Sequence, residues 1–168
     1  MQLRELEMND SFRLFCSYDT SLWEHSYFSP SSGGFYVTSL ARKTFGLLNK
    51  QTYEIFQKEQ RMCLRFASFG FQIEHLFEVT GISSPDISIL RHGPIFRVNG
   101  RSADLKSLSS GNNLVKQAKN AIRKKKADLV LFEFTCHNKR IARELNKLPR
   151  LGIHGYYYYT DEDTYYVF

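Results

Sequence analysis

Residues 101–134 read RSADLKSL SSGNNLVKQAKNAIRKKKA DLVLFEF, and this stretch decides the fold. The first block alternates in the manner of a strand, the second has the apolar periodicity of a helix, and the third is a short apolar run typical of a central strand. The Asn99-Gly100 pair just before it is a strong hairpin signal, so residues 94–98 are predicted to form the preceding strand.

The sequence upstream of this stretch adds one helix and two strands. Residues 51–69 carry apolar side chains at helical spacing, and Gly70 stands where a glycine commonly ends a helix. Residues 71–79 are predicted to form a strand. Ile87 and Ile89 alternate with polar neighbours and predict another.

The sequence downstream completes the predicted order of elements. Residues 138–148 are predicted to form a helix, and residues 155–168 an aromatic hairpin. The whole order predicts a mixed α/β fold with a central mixed β-sheet flanked by helices. Because residues 29–34 have the composition of a loop, we expect residues 1–34 to be an appendage packed on a core domain of residues 35–168.

Composition excludes several classes of protein. A chain of 168 residues with 42% hydrophobic residues suits a compact domain with a sizeable core. It has no apolar run of about 18 residues, so we expect no membrane partner. Its first ten residues include Arg4, Glu5, Glu7 and Asp10 and lack an apolar run, so we expect no signal peptide. The three cysteines are odd in number and far apart, a free-thiol pattern that indicates a cytoplasmic site of action.

The positive charge is concentrated in one part of the chain. The formal net charge is +6, which permits a polyanionic partner. Residues 97–126 contain one acid, Asp104, and nine basic residues: Arg97, Arg101, Lys106, Lys116, Lys119, Arg123, Lys124, Lys125 and Lys126. A single carboxylate in the most basic part of the chain indicates a specific role for that carboxylate.

Asp104 and Lys106 are the first candidates for a catalytic site. Residues two apart on a strand point to the same face, so these two side chains are predicted to lie together. A carboxylate beside an ammonium can hold a metal and polarise a nucleophile, and Mg²⁺ suits such an oxygen ligand. Asp86 follows Pro85, which favours an extended chain and a carboxylate at the start of a strand.

A third carboxylate is predicted on the upstream helix. Glu59 lies three residues after Phe56 and four before Cys63, so it points along the predicted buried stripe. A carboxylate on an apolar stripe needs a partner, and a metal is one such partner. Glu74 and Glu78 on the next strand are alternatives for this position.

These residues carry a resemblance to a known family. Pro85-Asp86 followed by Asp104-Leu105-Lys106, with a helix glutamate upstream, resembles the PD-(D/E)xK nuclease superfamily. More narrowly, the chain is similar to nuclease domains of bacterial contact-dependent inhibition toxins and related mobile-element proteins over about half its length. That similarity rests on Glu59, Phe69-Gly70-Phe71, Pro85-Asp86 and the run from Val98 to Ser107.

The resemblance implies a metal-dependent endonuclease with a restriction-endonuclease-like core. Asp86 and Asp104 would bind Mg²⁺ or Mn²⁺, Glu59 would join or orient that shell, and Lys106 would hold the attacking water or stabilise developing charge. Many of these toxins cleave tRNA, which favours RNA over DNA as the substrate. A toxin also implies an immunity protein as a partner.

The helix after Asp104 is the predicted nucleic-acid-binding element. Its basic side chains have no acid at helical spacing, which favours phosphate contact over a merely solvated face. The predicted phosphate-binding residues are Arg101, Ser107, Lys116, Lys119, Arg123 and Lys124.

Three alternatives remain at the level of sequence. One is a metal-independent RNase in which Lys106 and a histidine, His75 or His92, carry out acid–base chemistry. Another is a nucleic-acid-binding protein without catalysis, and the last is a plain interaction domain.

Overall fold

The computed structural model describes residues 2–77, 81–96 and 99–168, and the chain divides into two compact units. The N-terminal unit comprises Met1–Phe77 and Ser88–Pro94, and the C-terminal unit comprises Glu78–Ile87 and Ile95–Phe168. Each unit has its own arrangement of helices and strands.

The N-terminal unit contains helices packed on mixed strands. Its elements in chain order are α1 (Gln2–Cys16), β1 (Trp23–Phe28), β2 (Phe35–Ser39), α2 (Leu40–Gly46), α3 (Lys50–Ser68), β3 (Gln72–His75) and β4 (Ile87–Arg91, with Ser88–Arg91 in this unit). Strand β2 pairs antiparallel with β1 and parallel with β3. The helix predicted at 51–69 is confirmed as α3. Gly70 follows it at φ +106°, a conformation that favours glycine.

Residues 1–34 contribute to the core of the N-terminal unit. Phe15 of α1 is buried together with Phe35 and Val37 of β2, and Trp23 and Phe28 of β1 pack against them. The segment therefore supplies a helix, a strand and core side chains.

The C-terminal unit is built on residues 101–134, which form two strands and the helix between them. Its elements are β5 (Ser102–Leu108), α4 (Leu114–Arg123), β6 (Leu129–Phe134), α5 (Lys139–Leu145), a 3₁₀ turn (Pro149–Leu151), β7 (Gly155–Tyr159) and β8 (Tyr166–Val167). Strands β5, β6 and β7 are parallel, and β8 pairs antiparallel with β7, which confirms the predicted aromatic hairpin.

The register of β5 on β6 assigns side chains to the two faces of this sheet. Asp104 lies opposite Val130, and Lys106 lies opposite Phe132. The face that carries Val130 and Phe132 also packs against the apolar side of α4, at Leu114, Ala118 and Ala121. Asp104 and Lys106 therefore point to the side of the sheet that α4 covers.

The predicted mixed α/β class is confirmed, because parallel and antiparallel strand pairs occur together and helices pack on them. The strand predicted at 71–79 is shorter as β3, and residues 78–80 lie outside the described residues. The strand predicted at 94–98 is wrong over its described part, because residues 94–96 form no strand, and residues 97 and 98 lie outside the described residues. No helix in the described ranges combines the length and apolar character needed to cross a membrane.

Candidate active site

Asp104 and Lys106 lie side by side on β5, as predicted. Asp104 is fully buried, and its Oδ2 is 2.5 Å from the Nζ of Lys106. The side chain of Lys106 keeps 22% of its surface exposed, so its ammonium group remains within reach of solvent. The pair therefore consists of a buried carboxylate, Asp104, and a partly accessible ammonium group, Lys106.

Asp86 is fixed to the same strand through two backbone contacts. It stands just before β4, and its backbone N–H donates to the carbonyl oxygen of Ala103 at 3.1 Å. Its side-chain Oδ2 accepts from the backbone N–H of Leu105 at 2.8 Å. Because Leu105 lies between Asp104 and Lys106, this bond brings the Asp86 carboxylate to the predicted pair.

Lys125 completes the cluster, and sequence reasoning missed it. Its Nζ lies 2.8 Å from Oδ1 of Asp86 and 2.9 Å from Oδ1 of Asp104, so one ammonium bridges both carboxylates. Lys125 follows the end of α4, in the basic run that we interpreted only as a phosphate-binding surface. The excess of cations around a lone Asp104 was the signal that could have identified it.

The electrostatics of the cluster favour the ionised form of Asp104. Burial raises the pKa of this carboxyl, but contact with the Asp86 side chain and the ammonium groups of Lys106 and Lys125 outweigh burial and hold the pKa below its ordinary value. Both carboxylate oxygens are near an ammonium nitrogen, yet neither makes a hydrogen bond of good geometry. The carboxylate is therefore charged and buried, with an ammonium group against each of its oxygens.

The residues of this cluster fit a divalent cation. Oδ1 of Asp86 and Oδ1 of Asp104 converge on one position, which the ammonium of Lys125 now contacts. Mg²⁺ is commonly bound by one or two carboxylates, with waters and substrate phosphate completing its shell. Within residues 2–77, 81–96 and 99–168, no group of three or more His, Cys, Asp or Glu side chains has the arrangement of a metal site. Among side chains of these four types in the described residues, these two aspartates are the ones that an ion here would use.

Glu59 makes its contacts within the N-terminal unit. Its Oε2 accepts from Arg42 Nη2 at 2.7 Å and lies 2.7 Å from Nε2 of His75. Burial raises the pKa of Glu59, but the hydrogen bond with His75 and the charge of Arg42 outweigh it and leave the pKa below its ordinary value. These partners satisfy the buried carboxylate without a metal, so they give no support to the predicted metal-binding role.

The other candidates from the sequence have separate contacts. Glu74 accepts a hydrogen bond from the hydroxyl of Tyr18 at 2.7 Å, and Glu78 lies outside the described residues. His75 is fully buried, which gives no support to a role for its imidazole in acid–base chemistry on a substrate.

The predicted phosphate-binding residues lie on α4 and beside it. Lys116, Arg123 and Lys124 are exposed and Lys119 is partly exposed. In the part of the chain that the structure describes, no acidic side chain pairs with these four cations. Arg101 is also exposed, at the start of the C-terminal unit's first strand.

Ser107 points to the other face of the sheet. Its hydroxyl donates to Oε1 of Glu133 at 2.7 Å, and Glu133 also accepts from Tyr158 at 2.6 Å. This hydroxyl network lies opposite the face that carries Asp104 and Lys106, which gives no support to the predicted phosphate contact by Ser107.

Comparison with known proteins yields one structural likeness. No family model matches the sequence, and no curated protein matches it. The fold is similar to a chain in a solved structure described as the CdiA-CT/CdiI toxin and immunity complex from Burkholderia pseudomallei, with a TM-score of 0.50. The two chains are 20% identical, and the match covers 73% of this chain and 89% of the other. At that identity, the likeness shows a shared fold.

Proposed function

We propose that this chain is a metal-dependent nuclease that hydrolyses phosphodiester bonds in nucleic acid. The observation that carries the proposal is the convergence of Asp86 and Asp104 on one cation position, with Lys106 beside it. The cations on and beside α4, which pair with no acidic side chain among the described residues, belong to the same unit and offer a binding surface for phosphates.

The residues divide the chemistry among themselves. Asp86 and Asp104 would hold Mg²⁺ or Mn²⁺, and the bound ion would supply Lewis-acid polarisation of the scissile phosphate and an acidified water. Lys106 is accessible to substrate through its exposed part, so it orients the attacking water and stabilises negative charge that develops on the phosphate. The contacts to the phosphate backbone of the nucleic acid come from Lys116, Lys119, Arg123 and Lys124. Such contacts depend little on the base sequence.

RNA, and tRNA in particular, is the proposed substrate. The motif of Asp86, Asp104 and Lys106 resembles that of toxin nucleases, and the fold is similar to a chain from a toxin and immunity complex. An immunity protein is accordingly a proposed partner, since a nuclease toxin must be neutralised in the cell that makes it.

The proposal is tested by incubating purified protein with total tRNA and with plasmid DNA, in Mg²⁺ and in EDTA. Wild-type protein should cleave tRNA in Mg²⁺ and lose this activity in EDTA, and Asp104→Ala should be inactive. Cleavage of DNA alone would retain the nuclease but overturn the proposed substrate.

Two other outcomes would replace the proposal. Cleavage that persists in EDTA would indicate the metal-independent RNase. Salt-dependent binding without cleavage under any condition, retained by Asp104→Ala, would indicate a nucleic-acid-binding protein.

A further inference from the structure

We propose that Lys125 acts as a built-in counter-cation, which fills the position between Asp86 and Asp104 and must leave it before a divalent ion binds there. This inference rests on the proposed metal-dependent function. Its basis is geometric: one ammonium nitrogen lies 2.8 Å from Asp86 Oδ1 and 2.9 Å from Asp104 Oδ1. A divalent ion that used the same two oxygens would meet that nitrogen at close range.

Charge balance supports the same conclusion. Among the contacts of the described residues, two carboxylates face two ammonium groups, so the formal charges of these four groups cancel. A divalent ion added to all four groups would leave an excess of positive charge around a fully buried carboxylate, which is unfavourable in a medium of low polarity. One of the two lysines must therefore withdraw when the ion enters.

Lys125 is the lysine placed to withdraw. Its nitrogen contacts both carboxylates, whereas Lys106 contacts Asp104. Lys106 belongs to β5, which is paired along its length with β6. Lys125 instead lies beyond the last residue of α4, before Lys126 at φ +58°, and 26% of its side chain is exposed. A lysine stem has four flexible carbons, so the ammonium can swing to solvent without moving the sheet.

The displaced ammonium would remain next to the basic surface of α4. Lys124, its neighbour in sequence, is exposed there. A substrate phosphate bound at this surface can therefore contact the Lys125 ammonium after it leaves the two carboxylates. Lys125 thereby couples the two binding events, because a bound phosphate stabilises the withdrawn lysine and favours entry of the metal.

The first test measures metal binding by calorimetry, with no substrate present. Lys125→Met keeps the apolar stem and removes the charge, so it should bind Mn²⁺ about tenfold or more tightly than wild type. Lys126→Met is the matched control, because Lys126 is the exposed next residue, and its Mn²⁺ affinity should equal that of wild type. Lys125→Arg keeps a cation and should bind Mn²⁺ more weakly than Lys125→Met.

The second test uses the wild-type protein, so it does not depend on how a variant folds. The protein is treated with an amine-reactive acetylating reagent, and the acetylation of individual lysines is followed by mass spectrometry. Mn²⁺ should raise the modification rate of Lys125 severalfold and leave that of exposed Lys126 unchanged.

The outcomes separate this inference from the proposed function. Mn²⁺ binding by wild type, with no tighter binding by Lys125→Met and no faster acetylation of Lys125, overturns the counter-cation and leaves the nuclease proposal standing. If neither wild type nor Lys125→Met binds Mn²⁺, the metal-dependent mechanism and the counter-cation both fall.

Discussion

Asp104→Asn removes one charge from the centre of the cluster while it preserves the shape of the side chain. The wild-type carboxylate faces ammonium nitrogens at 2.5 Å and 2.9 Å. Removing one partner of a fully buried ion pair costs about 3–5 kcal/mol. Here the cost is smaller, since Lys106 and Lys125 are 22% and 26% exposed and can turn towards water. We therefore expect a loss of about 1–3 kcal/mol in the free energy of unfolding.

That loss corresponds to a decrease of about 3–10 °C in melting temperature for a chain of this size. The effect on catalysis should be much larger, because the substitution removes a carboxylate that we propose as a metal ligand, and it removes the partner of Lys106. We expect the rate of tRNA cleavage to fall by at least about 100-fold at a temperature where the variant is folded. Circular dichroism measures the first effect, and single-turnover cleavage measures the second.

Glu133→Gln is the matched control for this prediction. Glu133 is also a buried carboxylate in the C-terminal unit, but it lies on the other face, where Ser107 and Tyr158 donate to it. Its substitution should cost about 1–3 kcal/mol in stability and change the cleavage rate by no more than a few-fold. The reasoning is refuted if Asp104→Asn, shown to be folded, cleaves within tenfold of wild type, or if both variants lose activity equally.

Further predictions concern acid stability, salt dependence and strand packing. The folded-state pKa values of Asp104 and Glu59 lie below their ordinary values, so the unfolded chain binds more protons in acid. The stabilisation that these two carboxylates contribute should thus be fully present above about pH 5 and should be lost as the pH decreases towards their folded-state pKa values. Urea titrations at several pH values should show a shallower fall in the free energy of unfolding for Glu59→Gln than for wild type, and an equal fall would contradict this. Lys119→Ala should make the negative slope of log affinity against log salt shallower by about 0.7–0.9, as measured by fluorescence anisotropy with RNA. An unchanged slope would exclude a phosphate contact by Lys119. Gly155→Ala would bring a Cβ within 1.8 Å of the carbonyl oxygen of Val130, so it should abolish cooperative thermal unfolding; a normal melting curve would refute this packing.

The strand-borne part of the site was predictable from the sequence. The period of two along β5 predicts that Asp104 and Lys106 share a face, and the structure has them in contact. Proline before Asp86 predicted a carboxylate at the start of a strand, and it lies just before β4. Periodicity succeeds here because both features depend on local backbone geometry.

Lys125 could not be predicted by the same reasoning. It lies two residues past the last helical residue, Arg123, where the period of 3.6 no longer determines the direction of a side chain. For Glu59, the pattern predicted a buried carboxylate in need of a partner, but Arg42 and His75 come from elements distant in sequence. Periodicity predicts which side chain is buried, whereas tertiary packing decides what it meets.

Strand β1 could not be predicted from the sequence, for a different reason. Strand β1 is partly buried at every position, so it shows no alternation of polar and apolar side chains. A strand without alternation cannot be distinguished from a loop by its pattern.

The anchoring of Asp86 to the amide of Leu105 has an evolutionary consequence. Four consecutive residues of one strand, from Ala103 to Lys106, hold Asp86 and the Asp104–Lys106 pair together, and Ala103 and Leu105 take part through their backbone. The identity of residue 105 is thus free to drift among side chains that suit the opposite face. A single-residue insertion between 104 and 106 would instead turn the lysine to the wrong side and dismantle the cluster at once. Lineages that keep this site should therefore tolerate many substitutions around it but no insertion or deletion between residues 104 and 106.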